Sequence, residues 1–248
     1  MRIFIEIFVI LFVIQIKGSD SLLPPNIQTC HRNDPHISDC IVRSVTALLP
    51  RLATGDLGGG FKVPSLEPFV LKEISFGEEN GLKVQLFNIN VHGTTKFHVE
   101  KLRINVKDLK FDVLIALPKL DVKGKYKMVF NFLGAPVLSD GDLYTQFSGA
   151  KIRASMKGHR YLKNGKEYVK FEPFGIKFDR GVVSDLKITN LFNGNKVLGE
   201  IVHALLRNNP DFVIKNIYPS LESNLSQIFT NVGNTVVEQA SIDELLPL

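Results

Sequence analysis

The sequence predicts an α+β fold, with one helix, then a long antiparallel sheet, then two helices. Three observations carry this. Apolar residues recur at helical spacing between residues 35 and 55, alternate with polar ones from about Phe61 to Lys187, and return to helical spacing beyond Asn195. The chain has 248 residues, 30 Lys+Arg against 25 Asp+Glu, and 44% hydrophobic residues. That balance excludes charge-swollen disorder, and a count of 2 Cys excludes a disulfide-dense miniprotein.

Residues 1–18 read as a secretory signal peptide, with Arg2 first, an apolar run from Ile7 to Ile14 and a small residue at Gly18. The wider run from Ile3 to Ile16 is interrupted by Glu6 and Gln15 and is shorter than the about twenty apolar residues a membrane span needs. Cleavage leaves residues 19–248 with 28 basic and 24 acidic side chains, a net charge of +4. No Lys/Arg block stands out, so nucleic acid is excluded as a partner. With no linker and no internal repeat, 19–248 is expected to be a single secreted domain, a monomer.

The first helix is expected to start at Asp34-Pro35, a cap followed by a first-turn proline, and to carry the stripe Ile37, Ile41, Val45, Leu48 and Leu52. It should kink near Pro50 and stop at Gly55. Turns are expected at Asn80-Gly81, Asp140-Gly141 and Asn164-Gly165. The clearest strand sets Leu120, Val122, Tyr126, Met128, Phe130 and Phe132 on one face against Asp121, Lys123, Lys125 and Lys127, with Gly124 in the apolar row. A second offers Phe174, Ile176 and Phe178 against Gly175, Lys177 and Asp179. The helical stripe Val197, Leu198, Ile201, Val202, Leu205 and Leu206 ends at Asn208-Asn209-Pro210. A longer helix then carries Ile214, Tyr218, Leu221, Leu225, Ile228 and Val232, bent at Pro219.

Catalytic signatures are missing: there is no Gly-x-Ser-x-Gly and no His-Glu-x-x-His. His31 and His36 beside Asp34 and Asp39 read as a solvated helix start rather than a metal site, and no cofactor is implied. Behind a signal peptide, Cys30 and Cys40 favour one structural disulfide, worth about 2 to 3 kcal/mol in the chain-entropy model. Asn224-Leu225-Ser226 is a glycosylation sequon inside the expected long helix. The surplus of 18 Phe without a Trp allows two arrangements, a solid core or a curved sheet around one helix that leaves an apolar tunnel. Periodicity alone favours the solid core.

A resemblance shifts that balance. The pair Cys30-x9-Cys40, the run Gly60-Phe-Lys-Val-Pro64-Ser-Leu66-Glu-Pro68, the strand Leu120-Asp-Val-Lys-Gly124-Lys-Tyr126 and Asn190-Leu191-Phe192-Asn193-Gly194-Asn195 leading into Leu198-Gly199 occur in order. Together they resemble the takeout and juvenile-hormone-binding protein family of insects, over essentially the whole mature chain. The resemblance implies a tubular lipid-binding architecture, a long C-terminal helix wrapped by a highly curved antiparallel sheet around an internal hydrophobic tunnel. It also implies a secreted carrier of fatty-acyl, isoprenoid or juvenile-hormone-like ligands. A single cysteine pair places the chain nearer the takeout branch. The ligand-binding set implied is Ile41, Val45, Leu48, Val122, Tyr126, Met128, Phe130, Phe174, Ile176, Leu221, Leu225 and Ile228, with the Tyr126 hydroxyl as the candidate head-group partner. The alternative is an extracellular interaction protein that docks on a receptor or an acidic membrane through Lys123, Lys125 and Lys127, and a secreted hydrolase comes third.

Overall fold

The fold is given by a computed structural model, which describes residues 23, 27–77, 82–132, 135–200, 204 and 217–248. The expected signal peptide, the Asn80-Gly81 turn, the break at 208–210 and Ile214 lie outside the described residues. The architecture is the expected α+β super-roll, a curled antiparallel sheet with a long C-terminal helix.

Helix α1 spans Ile37–Thr54. It starts later than expected: His36 is the N-cap, and the Asp34 carboxylate accepts from the His36 backbone N–H at 2.7 Å, closing a turn upstream of the helix instead of capping it. The helix runs through Pro50 and ends at Gly55, which adopts the left-handed conformation and donates its N–H to Arg51. A Cβ on Gly55 would lie 2.3 Å from the Val63 carbonyl oxygen. Gly55→Ala therefore combines a backbone clash with a left-handed penalty of about 1–2 kcal/mol, and a drop in Tm of at least about 4 °C is the expected result by calorimetry. The Cys30–Cys40 disulfide is formed and ties a segment without regular structure to the first turns of α1.

Strands β1 (Asp56–Gly58) and β2 (Phe61–Lys62) form a small hairpin below α1. The main sheet contains β3 (Phe69–Gly77), β4 (Leu82–His92), β5 (His98–Asn105), β6 (Lys110–Phe132), β7 (Ala135–Lys163), β8 (Lys166–Phe171) and β9 (Gly175–Ile188). Its spine is the hairpin β6–β7, in register without a shift from Lys110↔Lys157 to Phe132↔Ala135. Each spine strand is long enough to pair with two others. β5 takes the first half of β6 and β4 the second, while β9 and β8 divide β7. β3 completes the edge beside β4.

Asn164-Gly165 makes the expected two-residue turn between β7 and β8, with φ of 52° and 77°. Asp140-Gly141 does not turn: it lies inside β7, opposite Lys127 and Tyr126. Gly141 is needed there for close approach, since a Cβ would meet the Thr189 carbonyl oxygen at 2.5 Å and the Tyr126 ring at 3.1 Å. Gly124 plays a similar part in β6, leaving room for Ile89 of β4 at 3.3 Å from where its Cβ would be.

After β9 the chain is helical over 196–200, where Val197 is 69% exposed and so leaves the predicted apolar stripe. Ile201, Val202, Leu205 and Leu206 lie outside the described residues. Helix α2 spans Tyr218–Val237, and Pro219 sits in its first turn, where a missing N–H costs nothing, instead of bending a helix already under way. A short α3 (Ile242–Leu245) follows, closed by a Ser241–Glu244 capping box, and buries Ile242 against Leu109 and Val169.

Candidate functional site

The way α2 is fastened decides what its apolar face does. Glu222, Ser226, Thr230 and Asn234 stand four residues apart, on one stripe of the helix. All four bond to the chain between Phe171 and Phe178. Glu222 accepts from the Phe178 N–H at 3.0 Å and from Lys177 Nζ at 2.5 Å. Ser226 donates to the Phe174 carbonyl at 2.6 Å, and Thr230 accepts the Phe174 N–H at 2.9 Å. Asn234 accepts the Phe171 N–H at 2.7 Å and donates to the Phe171 carbonyl at 3.2 Å. This polar seam holds the helix to one edge of the curled sheet. Leu221, Leu225, Ile228, Phe229 and Val232 then face the interior.

That interior is a cavity of about 1550 Å³, beyond the roughly 300–1,000 Å³ of usual small-molecule sites. Its wall runs along β6 from Val113 to Met128, about 50 Å of strand at about 3.3 Å per residue. The neighbouring strands contribute Leu71, Ile74, Leu86, Ile89, Phe147 and Ile152, and α1 adds Ile41, Val42 and Val45.

Of the residues predicted from the sequence, Ile41, Val45, Val122, Tyr126, Met128, Phe174, Ile176, Leu221, Leu225 and Ile228 border this cavity. Leu48 does not; it is half-buried on α1, away from the lining. Phe130 pairs through its backbone with Leu82 and Val137, and its side chain lies outside the described residues. Sequence reasoning missed the walls from β3 and β4 because alternation breaks there. The inward residues step from Leu71 to Ile74 and from Leu86 to Ile89, where β4 carries a bulge and Asn88 takes a φ of 52°.

Tyr126 departs from its expected role. Its ring lines the cavity, but its hydroxyl donates to the Thr189 carbonyl at 2.7 Å and lies 3.0 Å from Ser139 Oγ. Ser139 Oγ in turn accepts the Phe192 N–H at 3.0 Å, so the cluster ties the 189–192 turn to the sheet. Burial pushes the Tyr126 pKa up, which keeps that proton in place. With its single proton committed, the hydroxyl has none to offer a ligand. Tyr126→Phe is expected to cost about 1–3 kcal/mol of stability with apolar ligand affinity unchanged, as read by denaturant melts beside a binding titration.

Two lysines of the row, Lys125 and Lys127, have local partners. Lys125 bonds to Asp142 at 2.8 Å, Lys127 stands 5.7 Å over the Phe87 ring and pairs across the strands with Asp140, and Asp121 lies beside Lys119 at 3.6 Å. His31 bonds to the Leu248 carbonyl and His36 faces Asp39, and no group of three metal-ligating side chains occurs among the described residues. Asn224 is half-buried in α2 and donates to the Ser220 carbonyl at 2.8 Å, so the sequon is built into the helix wall. No described helix is long and apolar enough to cross a membrane.

The fold recurs in a solved structure. The crystal structure of takeout 1 of Epiphyas postvittana superimposes with a TM-score of 0.70 at 22% identity, covering 90% of this chain and 100% of that one. Lipopolysaccharide binding protein gives a TM-score of 0.40 at 13% identity, covering 77% of this chain and 37% of that one. No curated protein matches. The profile described as haemolymph juvenile hormone binding protein matches residues 7–247. The chain therefore belongs to the haemolymph juvenile hormone binding protein family.

Proposed function

We propose that this protein is a secreted carrier that holds a small hydrophobic ligand, a fatty-acyl, isoprenoid or juvenile-hormone-like lipid, inside its cavity. The observation that carries the reading is the apolar cavity of about 1550 Å³ between α2 and the sheet. An apolar void costs stability in proportion to its volume, and a ligand of matching chemistry recovers that cost. The family name, which joins haemolymph to juvenile hormone binding, supports both the ligand class and secretion. The disulfide supports an oxidising compartment. In this reading residues 1–18 are removed as a signal peptide, 19–248 act as one monomeric domain, and the function is binding and not catalysis.

The ten cavity-lining residues predicted from sequence act as the binding wall, together with the β3 and β4 residues that the sequence concealed. Each methylene moved from water into the cavity contributes about 0.8 kcal/mol, about a fourfold gain in affinity. A series of methyl esters of increasing chain length is therefore expected to tighten by about fourfold per carbon until the cavity is full, and then to level off. Affinities that stay flat along the series contradict the reading. Binding should also hold steady across a tenfold rise in salt, whereas docking through surface lysines would weaken.

A further inference from the structure

Among the described residues, five hydroxyl groups line the cavity, those of Thr94, Tyr126, Thr145, Ser184 and Tyr218. Four are spoken for. Thr94 donates to the Leu66 carbonyl, Tyr126 to Thr189, Thr145 to Asp185 at 2.9 Å and Ser184 to Gln146 at 3.3 Å. The Tyr218 hydroxyl has no hydrogen-bond partner among the described residues. Its ring is fixed at the start of α2 by packing on Phe178, with centroids 5.1 Å apart. Gly181 of β9 lines the cavity beside it, and even a Cβ there would stop 4.0 Å short of the hydroxyl, so the oxygen stays uncovered on that side.

Among the described lining residues the charged ones are acids, and Asp185 is paired with Lys187 at 3.3 Å. Asp185 and Glu200 border the cavity, and no Lys, Arg or His does so among the described residues. Glu222, one turn along α2, is engaged by Lys177 and the Phe178 N–H. Burial, with the Glu222 carboxylate as a second cause, raises the Tyr218 pKa, so the phenol stays protonated and able to donate.

We propose that the Tyr218 hydroxyl is the polar anchor of the cavity, donating a hydrogen bond to a neutral oxygen, an ester, ketone or alcohol, at one end of an otherwise apolar ligand. The proposal rests on the carrier reading and narrows it. A neutral donor in an apolar wall, with no Lys, Arg or His among the described lining residues, pairs with a neutral oxygen at less cost than with a carboxylate, whose desolvated charge would go uncompensated.

The test compares methyl palmitate, hexadecane and palmitate, each displacing a fluorescent phenylnaphthylamine probe from the wild-type protein and from Tyr218→Phe. The probe's own affinity reports whether the cavity of the variant is intact. A net hydrogen bond is worth about 1 kcal/mol, so methyl palmitate is expected to weaken about fivefold in Tyr218→Phe while hexadecane is unchanged. In the wild type, palmitate should bind less tightly than its ester at neutral pH and gain as the pH is lowered and its carboxylate protonates. Equal affinities of methyl palmitate for wild type and variant overturn the anchor and leave the carrier reading standing. Equal weakening of ester and hydrocarbon also overturns it, showing Tyr218 to be wall and not hook. Palmitate binding more tightly than the ester at neutral pH overturns the preference for a neutral head. A wild-type protein that takes up neither the probe nor any of the three lipids removes the carrier reading, and the anchor with it.

Discussion

Val122→Trp is expected to shut the cavity to long ligands while leaving the protein folded. Val122 sits midway along the β6 wall, paired with Val91 of β4 and Thr145 of β7, and its side chain points into the cavity. An indole there grows into open space, so the overpacking cost of about 1–3 kcal/mol that a close-packed core would impose is largely avoided. A ligand stopped six methylenes short gives up about 5 kcal/mol at about 0.8 kcal/mol each, more than about a thousandfold in Kd. Displacement titration beside a thermal melt reads both effects. A variant that binds long esters like the wild type, or that unfolds outright, is inconsistent with a continuous cavity at this point.

The second large effect is expected at the polar seam. Thr230→Val combined with Asn234→Leu removes the partners of three backbone groups, the N–H of Phe174 and both the N–H and the carbonyl of Phe171. Each buried group left unpaired costs about 1–3 kcal/mol. The pair should therefore destabilise the protein by at least about 3 kcal/mol, a large share of the about 5–15 kcal/mol that domains possess. Urea unfolding measures this. Because polar side chains dock the helix, the apolar stripe on the other face of α2 is left to the cavity. If the double variant is as stable as wild type, apolar packing and not the seam holds α2.

The second half of β6 was legible in the sequence because inward residues alternate from Leu120 to Met128; in the first half they are Val113, Ile115 and Leu117, so the phase shifts before Leu120 even though β7 keeps register along the whole strand. The same rule misplaced Asp140-Gly141, since a glycine after an aspartate marks a turn in one setting and, in β7, a close approach to Thr189 and Tyr126. Pro219 was legible as an interruption but not as a start, because the helical period of Ile214 and Tyr218 continues through it. The seam was hidden for another reason: Glu222, Ser226, Thr230 and Asn234 have the composition of a solvated helix face, and only the Phe171–Phe178 backbone across from them gives them partners. The cavity itself was beyond periodicity. A leucine facing a void and a leucine facing another leucine obey the same pattern, and family resemblance tipped the expectation where spacing had favoured a solid core. Tyr126 and Tyr218 lay in the predicted stripes alike. Which of the two hydroxyls was free depended on Ser139 and Thr189, distant in sequence from either.

On the proposed carrier reading the cavity is filled by a hydrophobic guest. The most direct test of that reading is to secrete the chain from insect cells and weigh it twice, under native and denaturing conditions, and then to extract and identify whatever is lost between the two. An apolar adduct at one per chain is expected, bound to a protein whose N-terminus begins at Ser19. A bare native mass, from a protein that also refuses methyl esters of every chain length, would contradict the reading.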